Sequence, residues 1–172
     1  RRGLNATVEK GLSPGTYRVR YEVKPGKKVS IIIPTRDGVE LVDQCVTTVE
    51  RHTEYPDYEF LVVDNGSTDT ATLDYLAQQA RDNKRFRVVR YDHRFNFSDI
   101  NNFAVEQTDS HYLLFMNNDI EITEDGWLNA MLEHGQNPQV GAVGAKLLYP
   151  DGRIQHAGVF LGQGGVAGHP FK

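Results

Sequence analysis

Apolar residues in this sequence form short continuous runs, separated by longer segments in which they recur every three or four positions. The first run, residues 29–33, is mostly β-branched and stops at Pro34, which is typical of a strand buried on both faces of a parallel sheet. Similar runs occupy residues 60–63, 86–89 and 112–116. With helical spacing between the runs, the pattern predicts a doubly wound, mostly parallel α/β sheet flanked by helices, with right-handed crossovers.

The helices are expected between these strands, where apolar residues lie on one face of a helix. Their segments are residues 41–49, 70–83, 98–107 and 127–132. Ser98 is the expected N-cap of the third helix, and Thr123 or Asp125 that of the fourth. Residues 16–23 predict a strand or hairpin arm, and residues 140–148 predict a further strand despite two glycines.

Length and composition favour one soluble globular domain. The chain has 172 residues, of which 39% are hydrophobic and 24% are charged. Glycines and prolines crowd residues 1–28, so we expect a lead-in segment there, or the tail of an upstream domain. Residues 29–172 would then form the main domain. No apolar run reaches the roughly 18 residues of a membrane span, so a cytoplasmic location is expected, with peripheral attachment to the inner face of the membrane as the alternative.

Charge and cysteine content narrow the classes of partner. The formal net charge of −4 leaves no excess of Lys and Arg for a nucleic-acid backbone, so no nucleic-acid partner is expected. A phosphate-bearing ligand would need a metal ion or backbone amides instead. The single cysteine, Cys45, fits a reducing compartment and a place in the core of a helix. The oligomeric state stays open.

Two polar clusters follow apolar runs and are the main candidates for chemistry. Asp64 begins an Asp-Asn-Gly-Ser sequence, and Asp119 ends an Asn-Asn-Asp sequence. Ligands of open α/β sheets bind beyond the carboxyl ends of the strands, so both clusters are expected at one cleft. Carboxylate and amide oxygens suit Mg²⁺ or Mn²⁺, and one carboxylate suffices where substrate phosphates complete the coordination. The alternatives are a simple turn after Asp64 with Asp69 as a helix N-cap, and a polar turn at Asp119.

Two common nucleotide-binding motifs are absent from the sequence. No Gly-x-Gly-x-x-Gly follows the first predicted strand, and no Gly-Lys-Ser/Thr ending of a P-loop occurs. Neither a Rossmann dinucleotide site nor a P-loop NTPase is therefore predicted.

Four segments in order carry a family resemblance. They are residues 29–37 (VSIIIPTRD), 62–69 (VVDNGSTD), 96–102 (NFSDINN) and 112–119 (YLLFMNND). Together they resemble the inverting family 2 glycosyltransferases with a GT-A fold, in the rhamnosyltransferase-like branch of O-antigen and related surface-polysaccharide synthesis. The resemblance extends from residue 29 to about residue 168.

The resemblance implies a nucleotide-sugar site with a divalent metal ion, Mg²⁺ or Mn²⁺. The residues expected to bind the nucleotide are Pro34, Thr35, Arg36, Asp64, Asn65, Gly66, Ser67, Asn102 and Asn118. Asp119 and Asn117 are the expected metal ligands, in the place of the family's Asp-x-Asp motif. The first position of that motif is Asn here, so only Asp119 supplies a carboxylate.

The general base of the reaction has no counterpart in this chain. The family takes it from a carboxylate pair well past the metal motif, but only Glu133 and Asp151 follow Asp125. No catalytic residue is therefore assigned, and the base is expected beyond Lys172. We expect the chain to be a donor-binding part, incomplete at its C-terminus and inactive in transfer by itself.

The predicted function is glycosyl transfer in bacterial cell-surface polysaccharide synthesis. The donor would be a UDP- or dTDP-linked sugar, and the acceptor a saccharide or a lipid-linked molecule. A non-catalytic nucleotide-sugar-binding module is the alternative, favoured by the missing base. A nucleotidyltransferase is disfavoured, because the sequence after residue 33 lacks a glycine-rich basic phosphate loop.

Overall fold

A computed structural model describes residues 5–162 and 167–168. Their elements in chain order are β1 (Ala6–Lys10), β2 (Tyr17–Tyr21), β3 (Val29–Thr35), α1 (Val39–His52), β4 (Tyr58–Asp64), α2 (Thr70–Asp82), β5 (Phe86–Arg90), α3 (Phe97–Val105), β6 (Tyr112–Phe115), α4 (Trp127–Gly135), β7 (Leu147–Leu148), β8 (Ile154–His156), β9 (Phe160–Leu161) and β10 (Ala167–Gly168). The chain divides into two compact units: Lys24–Trp127, and Arg1–Val23 together with Leu128–Lys172. The boundary expected after residue 28 stays a prediction.

The unit Lys24–Trp127 contains a four-stranded sheet in the order β5-β4-β3-β6, and all of its strand pairs are parallel. The first two crossovers step outward from β3 to β4 and from β4 to β5. The third returns to the other side of β3, where β6 joins the sheet. The predicted parallel α/β architecture is confirmed, and the strand order reverses between β3 and β6.

Alternating side chains of β3 face helices on the two sides of the sheet. Ile32 belongs to a buried cluster that includes Ile100 and Ala104 of α3. Its neighbour Ile31 faces the other side, in register with Phe60. The Phe60 ring lies 6.0 Å from the Phe86 ring, tilted by 48°. The aromatic ring of Tyr75 in α2 packs edge-on against the Phe86 ring. Because helices cover both faces, the strand is apolar almost throughout, as its sequence predicted.

The N-terminus of α3 differs from the sequence expectation. Asn96, not Ser98, is the N-cap, since the Asn96 side-chain oxygen accepts hydrogen bonds from the backbone N–H groups of Ser98 and Asp99 at 3.0 and 3.3 Å. Asn96 also has the extended backbone (φ −143°) that an N-cap adopts. Asn and Ser are comparable caps, so the two positions could not be ranked by residue type.

The second unit contains the hairpin β1–β2, nearly all of α4 and two short antiparallel pairs, β7–β8 and β9–β10. The predicted arm over residues 16–23 is confirmed as β2. The strand predicted over residues 140–148 is wrong except for Leu147–Leu148. Two glycines in its first half supply no side chain to pack and raise the entropy cost of extension. Among the described residues, no helix is both long and apolar enough to cross a membrane.

Cys45 of α1 is fully buried, and its sulfur lies 3.6 Å from the sulfur of Met116. Burial, with a smaller contribution from the charge of Asp119, raises the pKa of the thiol to about 12. The predicted core role of this residue is confirmed, and the thiol stays protonated near neutral pH.

The α3 side of the core should tolerate truncation poorly. Ile100→Ala removes a fully buried side chain from the cluster and should lower the free energy of unfolding by about 2–5 kcal/mol. Leu41→Ala, at a position of α1 that is 47% exposed, is the control and should cost less than about 1 kcal/mol. Urea unfolding followed by circular dichroism measures both, and equal losses would contradict the assigned core.

The buried thiol gives a second test of packing. Because its pKa is about 12, Cys45 should resist alkylation by iodoacetamide in the folded protein from pH 7 to 9. The thiolate, which is the reactive form, should become available in urea, where one equivalent should react. Mass spectrometry counts the adduct. Rapid labelling of the folded protein would show that α1 does not pack as described.

Candidate functional site

The candidate site lies where the strand order reverses, at the carboxyl ends of β3 and β6. The side-chain amide of Asn118, just after β6, donates a hydrogen bond to the hydroxyl oxygen of Thr35, the last residue of β3, at 3.0 Å. In open α/β sheets the crevice at such a reversal is the usual ligand site. Two predicted nucleotide-binding residues therefore meet at this position.

Thr35 also joins β3 to the strand on its other side. Its backbone carbonyl accepts a hydrogen bond from the N–H of Asn65 at 2.8 Å. The residue is buried, whereas Pro34 is half-buried and Arg36 is exposed. Thr35 therefore fixes the loops that follow β4 and β6 through its hydrogen bonds. Arg36, in contrast, leaves its side chain open to solvent.

Asp64 ends β4 and is held inside a turn. Its side chain is 3% exposed; one carboxylate oxygen accepts from the N–H of Ser67 at 2.9 Å, and the other lies 2.6 Å from Nη1 of Arg90. Gly66 adopts φ +75°, which its lack of a Cβ permits. The turn expected as an alternative is therefore present. A carboxylate offers about four lone-pair directions, so these two contacts leave acceptor capacity, and contact with a base stays a prediction.

The expected N-cap at Asp69 is confirmed. Its carboxylate accepts from the N–H of Thr72 at 2.9 Å and from the Thr72 hydroxyl at 2.7 Å, at the start of α2. These bonds, led by the hydroxyl, lower the pKa of the Asp69 carboxyl. Asp69 is thus used by the helix end rather than by the cleft.

Arg90, which the sequence analysis does not single out, contacts the Asp64 carboxylate. Its guanidinium also binds Asp92 through Nε at 2.6 Å and the carbonyl of Ser67 through Nη1 at 3.2 Å. Hydrogen bonds to Asp92 and then to Asp64 raise the pKa of the arginine. The missed signal was its place at the end of an apolar run, because Arg90 ends β5 in register with Asp64.

Asn65 supports the loop after β5. Its side-chain amide donates to the carbonyls of Tyr91 and His93, both at 2.9 Å. The residue is buried, and its side-chain oxygen has no hydrogen-bond partner among the described residues. Asn65 therefore ties β4 to the segment that precedes α3.

The residues after β6 present a different environment. Asn117 and Asp119 are exposed, and the part of the chain that the structure describes gives the Asp119 carboxylate no hydrogen bond or ion pair. The same part contains no group of three His, Cys, Asp or Glu side chains that could hold a metal ion. A metal at this position would thus have at most two such side chains from the described residues as ligands.

The two predicted carboxylates lie at the same edge of the sheet but not on neighbouring strands. β3 separates β4, which ends at Asp64, from β6, which precedes Asp119. Asn102 lies on α3 with an exposed side chain, and no hydrogen bond joins that side chain to the other predicted site residues, all of which lie in the described range.

The segment that follows Asp119 is fastened to α1. The N–H of Ile122 donates to the hydroxyl of Thr48 at 3.1 Å, and His52 Nδ1 lies 2.7 Å from a carboxylate oxygen of Asp125. The Trp127 indole then donates to the hydroxyl of Thr53, just past the helix, at 3.0 Å. The loop that carries Asp119 is thereby anchored on a helix.

Comparison with known proteins gives several relatives. The sequence model of the family described as Glycosyl transferase family 2 matches residues 30–157. The O-antigen biosynthesis protein RfbC of Myxococcus xanthus is 44% identical over 171 residues, covering 99% of this chain and 13% of that protein. The uncharacterized protein y4gI of Sinorhizobium fredii is also 44% identical, over 97% of this chain and 18% of that protein. The O-antigen chain rhamnosyltransferase RfbN of Salmonella typhimurium is 27% identical, over 72% of this chain and 38% of that protein.

Solved structures share the fold. A mannosyltransferase, PcManGT from Pyrobaculum calidifontis in complex with GDP-Man and Mn²⁺, superposes with a TM-score of 0.63 at 20% identity, over 76% of this chain and 40% of that one. Residues 1–349 of S. aureus TarS superpose with a TM-score of 0.55 at 20% identity, over 70% and 38%. The chain spans less than a fifth of the length of RfbC and of y4gI. The parallel sheet with its reversal of strand order at β3 is consistent with the fold of these structures. Because the family model matches residues 30–157, the chain belongs to glycosyl transferase family 2.

Proposed function

We propose that this chain binds the nucleoside diphosphate of a sugar donor at the carboxyl ends of β3, β4 and β6. The protein that carries it would transfer the sugar, with inversion, to a saccharide or lipid-linked acceptor in bacterial cell-surface polysaccharide synthesis. The observation that carries the proposal is the Asn118–Thr35 bond across the reversal of strand order, beside the exposed carboxylate of Asp119. Family membership and the two O-antigen relatives support the reaction class.

The environment of Asp119 fits a divalent cation. Mg²⁺ is commonly held by one or two carboxylates together with substrate phosphates and waters, and Asp119 is an exposed carboxylate without a partner in the described part of the chain. Asn117 offers a second side-chain oxygen. A divalent cation bound there would neutralise charge on the leaving diphosphate. PcManGT, which shares the fold, was solved with Mn²⁺ and GDP-Man.

The nucleoside would lie on the β4 side of β3. There the buried carboxylate of Asp64 supplies acceptors and Arg90 supplies donors at the end of the next strand. A base that presents both an N–H group and a carbonyl would match this pair, as uracil, thymine and guanine do. UDP and dTDP are the proposed nucleotides, and GDP is a necessary comparison.

Inversion requires a base for the acceptor hydroxyl, and we place that base beyond Lys172. The two late carboxylates of the chain are engaged elsewhere: Glu133 is buried and paired with Arg20 at 3.0 Å, and Asp151 binds Arg153 at 2.7 Å.

The metal-dependent part of nucleotide binding should depend on Asp119. Calorimetry with UDP, dTDP and GDP, each with and without Mn²⁺, should give binding for at least one nucleotide, tighter with the metal. Asp119→Ala should remove the gain from Mn²⁺ and leave the fold unchanged, because an exposed side chain contributes little to packing. Glu124→Ala, an exposed carboxylate five residues later, should retain the gain. No heat with any nucleotide, from protein shown to be folded, would refute the proposal.

Asp64 should contribute to binding of the base. Asp64→Asn keeps the size but turns an acceptor-only group into a mixed one, so a base N–H would lose a charge-assisted bond worth about 1.5–3 kcal/mol. Affinity should fall roughly tenfold or more. Asp92→Asn changes the other partner of Arg90 at a side chain that is 65% exposed and should have a smaller effect. Unchanged affinity in Asp64→Asn would mean that Asp64 serves only the turn.

A further inference from the structure

Asp37 has an unusual backbone conformation beside the candidate site. Its φ is +53°, and among the described residues it is the one non-glycine residue with a positive φ. Asp tolerates this left-handed region better than most residues. Such conformations persist where the surroundings hold them, and they cluster at functional sites. The contacts of Asp37 show what holds it.

Three hydrogen bonds link Asp37 to the turn after β4. One oxygen of its carboxylate accepts from the backbone N–H groups of Thr68 and Asp69 at 2.8 and 2.9 Å, and its own N–H donates to the hydroxyl of Ser67 at 2.8 Å. The bonds from Asp69 and then Thr68 lower the pKa of the Asp37 carboxyl. The carboxylate is therefore ionised throughout the neutral range, and the link is intact there.

Ser67 connects this link to the residues proposed to contact the base. The side chain of Ser67 is buried, its N–H donates to Asp64 at 2.9 Å, and its carbonyl accepts from Arg90 at 3.2 Å. A continuous series of hydrogen bonds thus runs from Asp37 through Ser67 to Asp64 and Arg90. A change at Asp37 reaches Asp64 through a single residue.

We infer that Asp37 is a positioning residue of the nucleotide site, which holds the 64–69 turn so that Asp64 is presented to the base. The inference rests on the proposed function and adds to it a residue that acts through another. One carboxylate oxygen makes both backbone bonds, and it is through these bonds to the turn that Asp37 fixes the loop. The left-handed backbone and the two backbone bonds occur together at this residue.

Two substitutions separate the carboxylate from the backbone conformation. Asp37→Gly accepts the positive φ and removes the acceptor, whereas Asp37→Asn keeps an acceptor oxygen and also tolerates the left-handed region. With Mn²⁺ and whichever of UDP, dTDP and GDP binds the wild-type protein, Asp37→Gly should weaken affinity roughly threefold to tenfold, a modest loss because water partly replaces exposed hydrogen bonds. Asp37→Asn should lose less affinity than Asp37→Gly, since it retains an acceptor oxygen but not the charge.

A double-mutant cycle tests whether the effect passes through Asp64. In an Asp64→Asn background, Asp37→Gly should cost much less than in the wild type, because residues in one hydrogen-bond network are not additive. Full additivity, or wild-type affinity in Asp37→Gly, would overturn the inference. A purely structural role would instead lower the thermal midpoint and leave the cycle additive.

Hydrogen exchange distinguishes failure of this inference from failure of the proposed function. The amides of Thr68 and Asp69 should exchange faster in Asp37→Gly than in wild type, with or without nucleotide, because their acceptor is gone. A wild-type protein that binds no nucleotide would refute the proposed function and with it the site that Asp37 serves. Unchanged exchange of both amides would refute the positioning role itself, whatever the nucleotide result.

Discussion

Burial of β3 between two parallel neighbours is the constraint on which the rest of the site depends. Ile31, Ile32 and Ile33 are fully buried, so this strand cannot shift in register without exposing apolar surface to water. Its last residue, Thr35, bonds both flanking segments, through its carbonyl to Asn65 and through its hydroxyl to Asn118. The position of each polar loop is thus fixed by the strand's hydrophobic packing.

The candidate site contains two carboxylates in different physical environments. Asp64 is enclosed and is held by a backbone N–H and by Arg90, which fix the direction of its carboxylate. Asp119 is exposed, without a hydrogen bond or ion pair in the described part of the chain, on a loop that α1 anchors through Thr48 and His52. An enclosed carboxylate suits recognition of a base, and an open one suits a hydrated cation with its phosphates.

The sheet could be predicted from the sequence because buried parallel strands appear as continuous apolar runs. The contacts within the candidate site could not be predicted in this way. Asp69 as an N-cap followed from local chemistry, but the choice of Asn96 over Ser98 at α3 did not. Arg90 could not be found this way because its partner Asp64 is 26 residues away in sequence. The turn residues that bind the Asp37 carboxylate are 31 and 32 residues away. Only tertiary structure brings such residues together. The apolar residues of 140–148 favoured a strand there, but the two glycines in this segment restrict it to Leu147–Leu148.

Paramagnetic broadening by Mn²⁺ in the presence of a bound nucleoside diphosphate would locate the ligand without assuming any residue's role. In amide NMR spectra, we predict that signals of residues 117–120 and of the turn after Thr35 broaden first. Lys28 and Thr108, at the opposite edge of the sheet beside Glu59, should remain sharp. Broadening centred on Lys28 and Thr108, or spread evenly over the protein, would contradict a nucleotide site at the reversal of strand order.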